Sequence, residues 1–150
     1  MMLVMLCMLH PSFLLANALN GPVQKVKLSD DFQVKVFFAQ THVQEPDDPL
    51  FKLIENREVL IKVNITSTTT TEAPAVNALL TLGDQTTTLR LSGPDIVPEF
   101  IDYSPGLIQH SFDDSFTVSV PKNWVKPGLE IVLTVADQVI TFDSNSKVIL

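Results

Sequence analysis

The sequence predicts an all-β fold, an antiparallel β-sandwich of immunoglobulin-like class. Three observations carry that expectation. Apolar residues alternate with polar ones over 32–38, 59–65, 116–120 and 129–135, the period of a half-buried strand. Turn residues recur about every 8–12 positions, the spacing of a sandwich of about eight short strands. No stretch of ~11 residues holds the 3.6-period apolar face of a helix. A closed barrel is the alternative architecture.

The organising stretch is Pro121 to Val135 (PKNWVKPGLEIVLTV), which holds Trp124, the only tryptophan. Pro127-Gly128 suits the centre of a type II turn, because proline fixes φ and glycine accepts a positive one. The strand after it places Leu129, Ile131, Leu133 and Val135 on one face. Trp124 is expected to plug one end of the core.

The other elements follow in chain order. A weak strand ends near Leu28, and Asp30-Asp31 signals a turn. Phe32, Val34, Val36 and Phe38 then share one face of a strand that continues through Ala39-Gln40-Thr41-His42-Val43. The EPDDP run at 45–49 is a loop, Leu50 to Ile54 is extended, and Glu55-Asn56 is a turn. Val59, Ile61, Val63 and Ile65 face one way, with Leu60, Lys62 and Asn64 on a polar face opposite. Ser67 to Pro74 is low in complexity and reads as a surface loop. Val76 to Leu82 and Thr86 to Leu91 form a hairpin around Gly83-Asp84-Gln85. Ile96 to Gly106 is expected to cross between sheets, anchored by Tyr103. Phe116 to Val120 is a strand. Asp137-Gln138 turns the last hairpin, Val139 to Phe142 returns, and Ser144 to Leu150 has little room for a further element.

The length of 150 residues fits one domain after an N-terminal signal. Residues 1–18 contain the apolar run Leu3 to Leu9, resumed at Phe13 to Ala16, and close on Ala16-Asn17-Ala18. This is the pattern of a secretory signal peptide with a small-residue cleavage site. His10-Pro11 interrupts the run, which falls short of the ~20 apolar residues of a membrane span. No Lys or Arg precedes it, so an N-terminal anchor is the competing reading. The mature chain, 19–150, is expected to be a single domain, secreted or periplasmic in transit, with no stable membrane span. Cys7 is the only cysteine, so that mature chain holds no disulfide or thiol chemistry. Leu6 before it is not the small residue of a lipoprotein signal.

Charge and motifs bound the function. The net charge is -7, and the ten Lys and Arg residues are scattered. Nucleic acid needs a concentrated basic face, and none is expected. The histidines, His10, His42 and His110, show no HExxH and no metal-ligand spacing. There is no GxSxG. Asp30-Asp31, Asp47-Asp48 and Asp113-Asp114 read as solvated turns, without the spacing of a calcium loop. No catalytic, cofactor-binding or metal-binding residue is assigned, and no cofactor is expected. Asn64-Ile65-Thr66 is a glycosylation sequon, and the Ser/Thr tract 67–71 is a candidate for O-linked sugar.

Three stretches together resemble a known family. FAQTHV at 38–43, LIENREVLIKV at 53–63 and PKNWVKPGL at 121–129 are similar, in order and spacing, to the N-terminal non-catalytic domain of the StcE/TagA-like (dictomallein) secreted zinc metalloproteases. The resemblance spans roughly 34–136. It implies a β-sandwich that accompanies a catalytic domain acting on extracellular glycoproteins. Beside it, the residues themselves suggest that Arg57 pairs with an acid or with strand-end carbonyls. Proteolysis in that family depends on HExxH in a later domain, and these 150 residues contain none. The resemblance therefore implies the accessory module alone, with a metalloprotease catalytic domain or an extracellular glycoprotein as partner. A free-standing adhesion or binding domain is the alternative.

Expression in a secreting host should yield a chain that begins at Leu19, as read by N-terminal sequencing. A product that retains Met1 in the cytoplasm would refute the signal reading.

Overall fold

A computed structural model describes residues 26–28, 32–69, 72–102, 112–142 and 148–149. These form strands and no helix. In chain order the strands are β1 (Val26–Leu28), β2 (Phe32–Ala39), β3 (Val43–Gln44), β4 (Leu53–Ile54), β5 (Val59–Thr66) and β6 (Val76–Leu82). Then come β7 (Gln85–Arg90), β8 (Ser115–Val120), β9 (Glu130–Val135), β10 (Gln138–Thr141) and β11 (Val148–Ile149). The predicted signal, the Asp30-Asp31 turn, Tyr103 and His110 lie outside the described residues.

One antiparallel sheet has the order β1-β2-β5-β8, with β3 also paired to β2. The other has the order β10-β9-β6-β7. Both supply a single apolar cluster. Val36 and Phe38 of β2 and all four apolar residues of one β5 face meet Ala78 and Leu80 of β6 and Ile131 and Leu133 of β9. The all-β chain is thus sandwich-like, with its core shared by two sheets. Each Val, Leu or Ile so buried contributes about 1.5–3 kcal/mol.

Strand β5 follows its alternation and then exceeds it. Val59, Ile61, Val63 and Ile65 are fully buried, as their spacing predicts. The opposite face was expected to be solvated, yet Lys62 and Asn64 are buried too. The cause is position. β5 lies between β2 and β8, which set Phe37 opposite Lys62 and Ser115 opposite Asn64. The Phe112 ring also sits 5.4 Å from the Lys62 ammonium.

The turns refine the sequence reading. Leu129 N–H donates to Lys126 O at 3.0 Å, and Gly128 has φ +91°, the type II turn expected at Pro127-Gly128. The first hairpin loop is only Gly83-Asp84, with Gly83 at φ +58°. The last hairpin turns at Ala136-Asp137, one residue earlier than predicted, because Gln138 already pairs with Val135. Ala136 takes a positive φ of 52°, and its N–H donates to Ala75 O.

Three expectations about extended segments are corrected. The chain does not run straight from Ala39 to Val43. It bends at Gln40–His42, and β3 folds back so that Val43 pairs with Ala39. The end of the chain does hold an element, since β11 lies parallel to β4 and buries Val148 in the core. Exchange between sheets occurs at Ser92, ahead of Ile96. Ser92 and Thr117 of β8 trade backbone hydrogen bonds of 3.0 and 2.7 Å. Gly93 beside them is required by packing, since a Cβ there would lie 2.4 Å from the Phe116 ring.

Trp124 is half-buried and packs against the core without plugging it. Its neighbour Val125 is fully buried instead. The aromatic plug is Phe38, only 1% exposed, whose ring lies 5.4 Å from Phe51 and edge-on to Phe142 at 5.6 Å. Phe38→Ala should therefore cost about 3–5 kcal/mol, and Trp124→Ala clearly less. Denaturant midpoints check the ordering, and an equal or larger loss for Trp124→Ala would contradict it.

Candidate functional site

The three stretches that carry the family resemblance meet at one end of the fold. Gln40, in the bend after β2, is the centre of the junction. Its Nε2 donates to Ile54 O at 3.0 Å and to Arg57 O at 3.1 Å. Its Oε1 accepts from Ile54 N–H at 2.7 Å. One amide thus satisfies three backbone groups of the β4–β5 turn. Asn56, at φ +58°, donates its N–H to Val125 O at 2.9 Å, and Glu55 N–H donates to Ile149 O at 2.7 Å. Arg57 is exposed and joins the junction through its carbonyl. Every bond here ends on backbone, so the junction holds loops together.

The polar residues singled out in the sequence are scattered. His42 is exposed, with Nδ1 3.0 Å from Thr41 Oγ1. Asp48 Oδ1 accepts from Leu50 N–H at 2.8 Å, closing a local turn in the 45–49 loop. Glu45 of that loop pairs with Lys35 of β2 at 2.7 Å, a surface ion pair worth ~0–1 kcal/mol. Asp113 and Asp114 are exposed in the turn before β8. Among the described residues, no three His, Cys, Asp or Glu side chains are grouped to hold a metal ion.

The sequon is closed off. Asn64 is 2% exposed, and its Oδ1 accepts from Ser115 Oγ at 2.7 Å. The Ser/Thr tract differs along its length. Ser67 is buried and its Oγ accepts from Thr69 N–H at 3.3 Å, while Thr68 and Thr69 are exposed. Thr70 and Thr71 lie outside the described residues.

Lys62 is a titratable group with a clear shift. Burial pushes its ammonium below its usual 10.5, because desolvation disfavours the charged form. The folded state then binds this proton less tightly than the unfolded chain does. Lys62 therefore costs stability at neutral pH, and that cost fades as the pH rises toward 10.5.

One cleft among the described residues lies where the chain passes between sheets. It is an open space of about 470 Å³ lined by Glu72, Arg90, Ser92, Gly93, Asp95 and Phe116, among others. Ala73 N–H donates to Asp95 O at 3.1 Å, which fixes one wall to another. Two carboxylates, one guanidinium and one hydroxyl there suit recognition of a polar group. The sequence offers no common motif for these residues, which come from a loop, β7 and the crossing segment. Only the fold brings them together.

Gln40→Ala should destabilise the chain by about 1–3 kcal/mol, because it strands partly buried backbone groups. Gln40→Glu keeps the acceptor for Ile54 N–H and loses both donations, so it should be destabilised as well. Thermal denaturation checks both variants, and wild-type stability in Gln40→Ala would remove the junction's structural role. No family model matches the chain, and no curated protein matches it in sequence.

Proposed function

We propose that this chain is an exported, non-catalytic β-sandwich module of immunoglobulin-like class that serves a glycoprotein-cleaving zinc metalloprotease as an accessory domain. One observation carries the reading. The three separate stretches that resemble the accessory domain of those proteases converge on the Gln40 junction. Stretches that form one structural unit are what a shared fold would retain together. The one side chain concerned, Gln40, binds backbone, which suits a scaffold and not a reaction centre. Fold alone does not decide function, so the partner rests on the resemblance.

A second reading is a free-standing extracellular binding domain. The mixed-charge cleft beside Gly93 favours it, since such a pocket can recognise a polar ligand without a catalytic partner.

The test uses the chain purified from a secreting host, supplemented with zinc and offered a mucin-type glycoprotein. The glycoprotein should remain intact. Adding the chain to a zinc metalloprotease catalytic domain of this class should raise cleavage of the same substrate. Binding to the glycoprotein with no effect on the protease would favour the free-standing binder. Zinc-dependent, chelator-sensitive cleavage by the chain alone would overturn both readings.

A further inference from the structure

The outer strand of the second sheet is β7. β7 is bonded to β6 and ends its sheet. Leu91 N–H donates to Val76 O, and antiparallel pairs alternate between bonded and non-bonded. Residues 85, 87 and 89 therefore turn their backbone groups toward β6. Thr86, Thr88 and Arg90 turn theirs outward. After Arg90 the chain leaves the sheet, and Ser92 bonds to Thr117, so among the described residues the unpaired edge runs from Gln85 to Arg90.

The residues of that edge lack the usual side-chain guards. Gln85 to Leu89 reads QTTTL, with no lysine, no proline and no inward charge to discourage edge pairing. Its two ends carry opposite charges, Asp84 and Arg90, both exposed. Neither has an ion-pair partner among the described residues.

Charge and backbone phase select one register. In an antiparallel pair centred on Thr87, Thr86 of one copy faces Thr88 of the other, and Asp84 faces Arg90. Thr86, Thr88 and Arg90 are outward-bonding positions, and Asp84 is the turn residue just before the strand. The opposite edge of the sheet, β10, has no such complement, since the flanking charges in sequence are Asp137 and Asp143, both acidic.

We propose that two copies of this chain associate through β7, antiparallel about a two-fold axis at Thr87. The two four-stranded sheets then form one continuous eight-stranded sheet. The contact is isologous, so the same ion pair forms twice. It comprises about four backbone hydrogen bonds between copies, and two exposed ion pairs that salt screens. An interface this small is weak and concentration-dependent. This inference goes beyond the proposed accessory role and does not depend on it.

Sedimentation equilibrium of the chain purified from a secreting host tests it. A monomer–dimer equilibrium is expected, shifting toward monomer in high salt. Arg90→Glu and Asp84→Arg should each weaken dimerisation by roughly tenfold or more, equal to about 1.4 kcal/mol. The double variant carrying Asp84→Arg and Arg90→Asp should restore it. Thr88→Pro removes an outward N–H that β6 does not use, and it should abolish the dimer while circular dichroism stays unchanged. A chain that remains monomeric near millimolar concentration overturns the proposal. So does a dimer that survives Arg90→Glu, or a charge swap that fails to rescue.

Discussion

Strand β5 has no solvent-facing side over most of its length, and the rest of the structure is arranged to make that tolerable. Its apolar face fills the core with Val59, Ile61, Val63 and Ile65. Its other face carries an ammonium and an amide that would be costly to bury without partners. β2 and β8 flank it and supply what these groups require. Ser115 bonds Asn64, Phe37 of β2 pairs across from Lys62, and the Phe112 ring from the turn before β8 lies against its ammonium. Among the described residues, no buried side-chain nitrogen or oxygen lacks a hydrogen-bond partner. The central strand thus fixes which residues its neighbours can carry on both faces.

The second organising contact is smaller and lies at the sheet's end. Gln40 binds the turn that feeds β5, and Val125 and Ile149 bind the same turn from later in the chain. Loops distant in sequence are thereby tied to the start of the central strand. The Phe38, Phe51 and Phe142 rings pack together in the core. Closing loops of this length costs chain entropy, which the burial of Phe51 and Val148 offsets. The half-buried Trp124 belongs to the periphery of this arrangement, although its rarity made it the conspicuous residue of the sequence.

Legibility in the sequence follows from the range of the physics involved. Strands whose two faces differ, such as β2 and β9, announce themselves by alternation, and the Pro127-Gly128 turn by its backbone chemistry. Both are local properties. β5 was legible on its core face and misleading on the other, because burial of Lys62 and Asn64 depends on strands that lie far away in sequence. The bend at Gln40–His42 was missed for the same reason. A glutamine in an extended run carries no sign that its amide will bind a turn 14 and 17 residues later. β11 was missed because two residues are too few for a pattern. The cleft beside Gly93 was invisible, since its lining comes from three segments with no shared spacing.

The closure of Asn64 makes the sequon a matter of timing. The bond that closes its amide needs β8 to pair with β5, and Ser115 lies 51 residues further along the chain. At synthesis rates of about 5–20 residues per second, that leaves roughly 3–10 s during which Asn64 is exposed on a growing chain. In a host that glycosylates exported proteins, an attached sugar would occupy the place where Ser115 must dock. A sugar on Asn64 and the docking of Ser115 therefore exclude one another at this position.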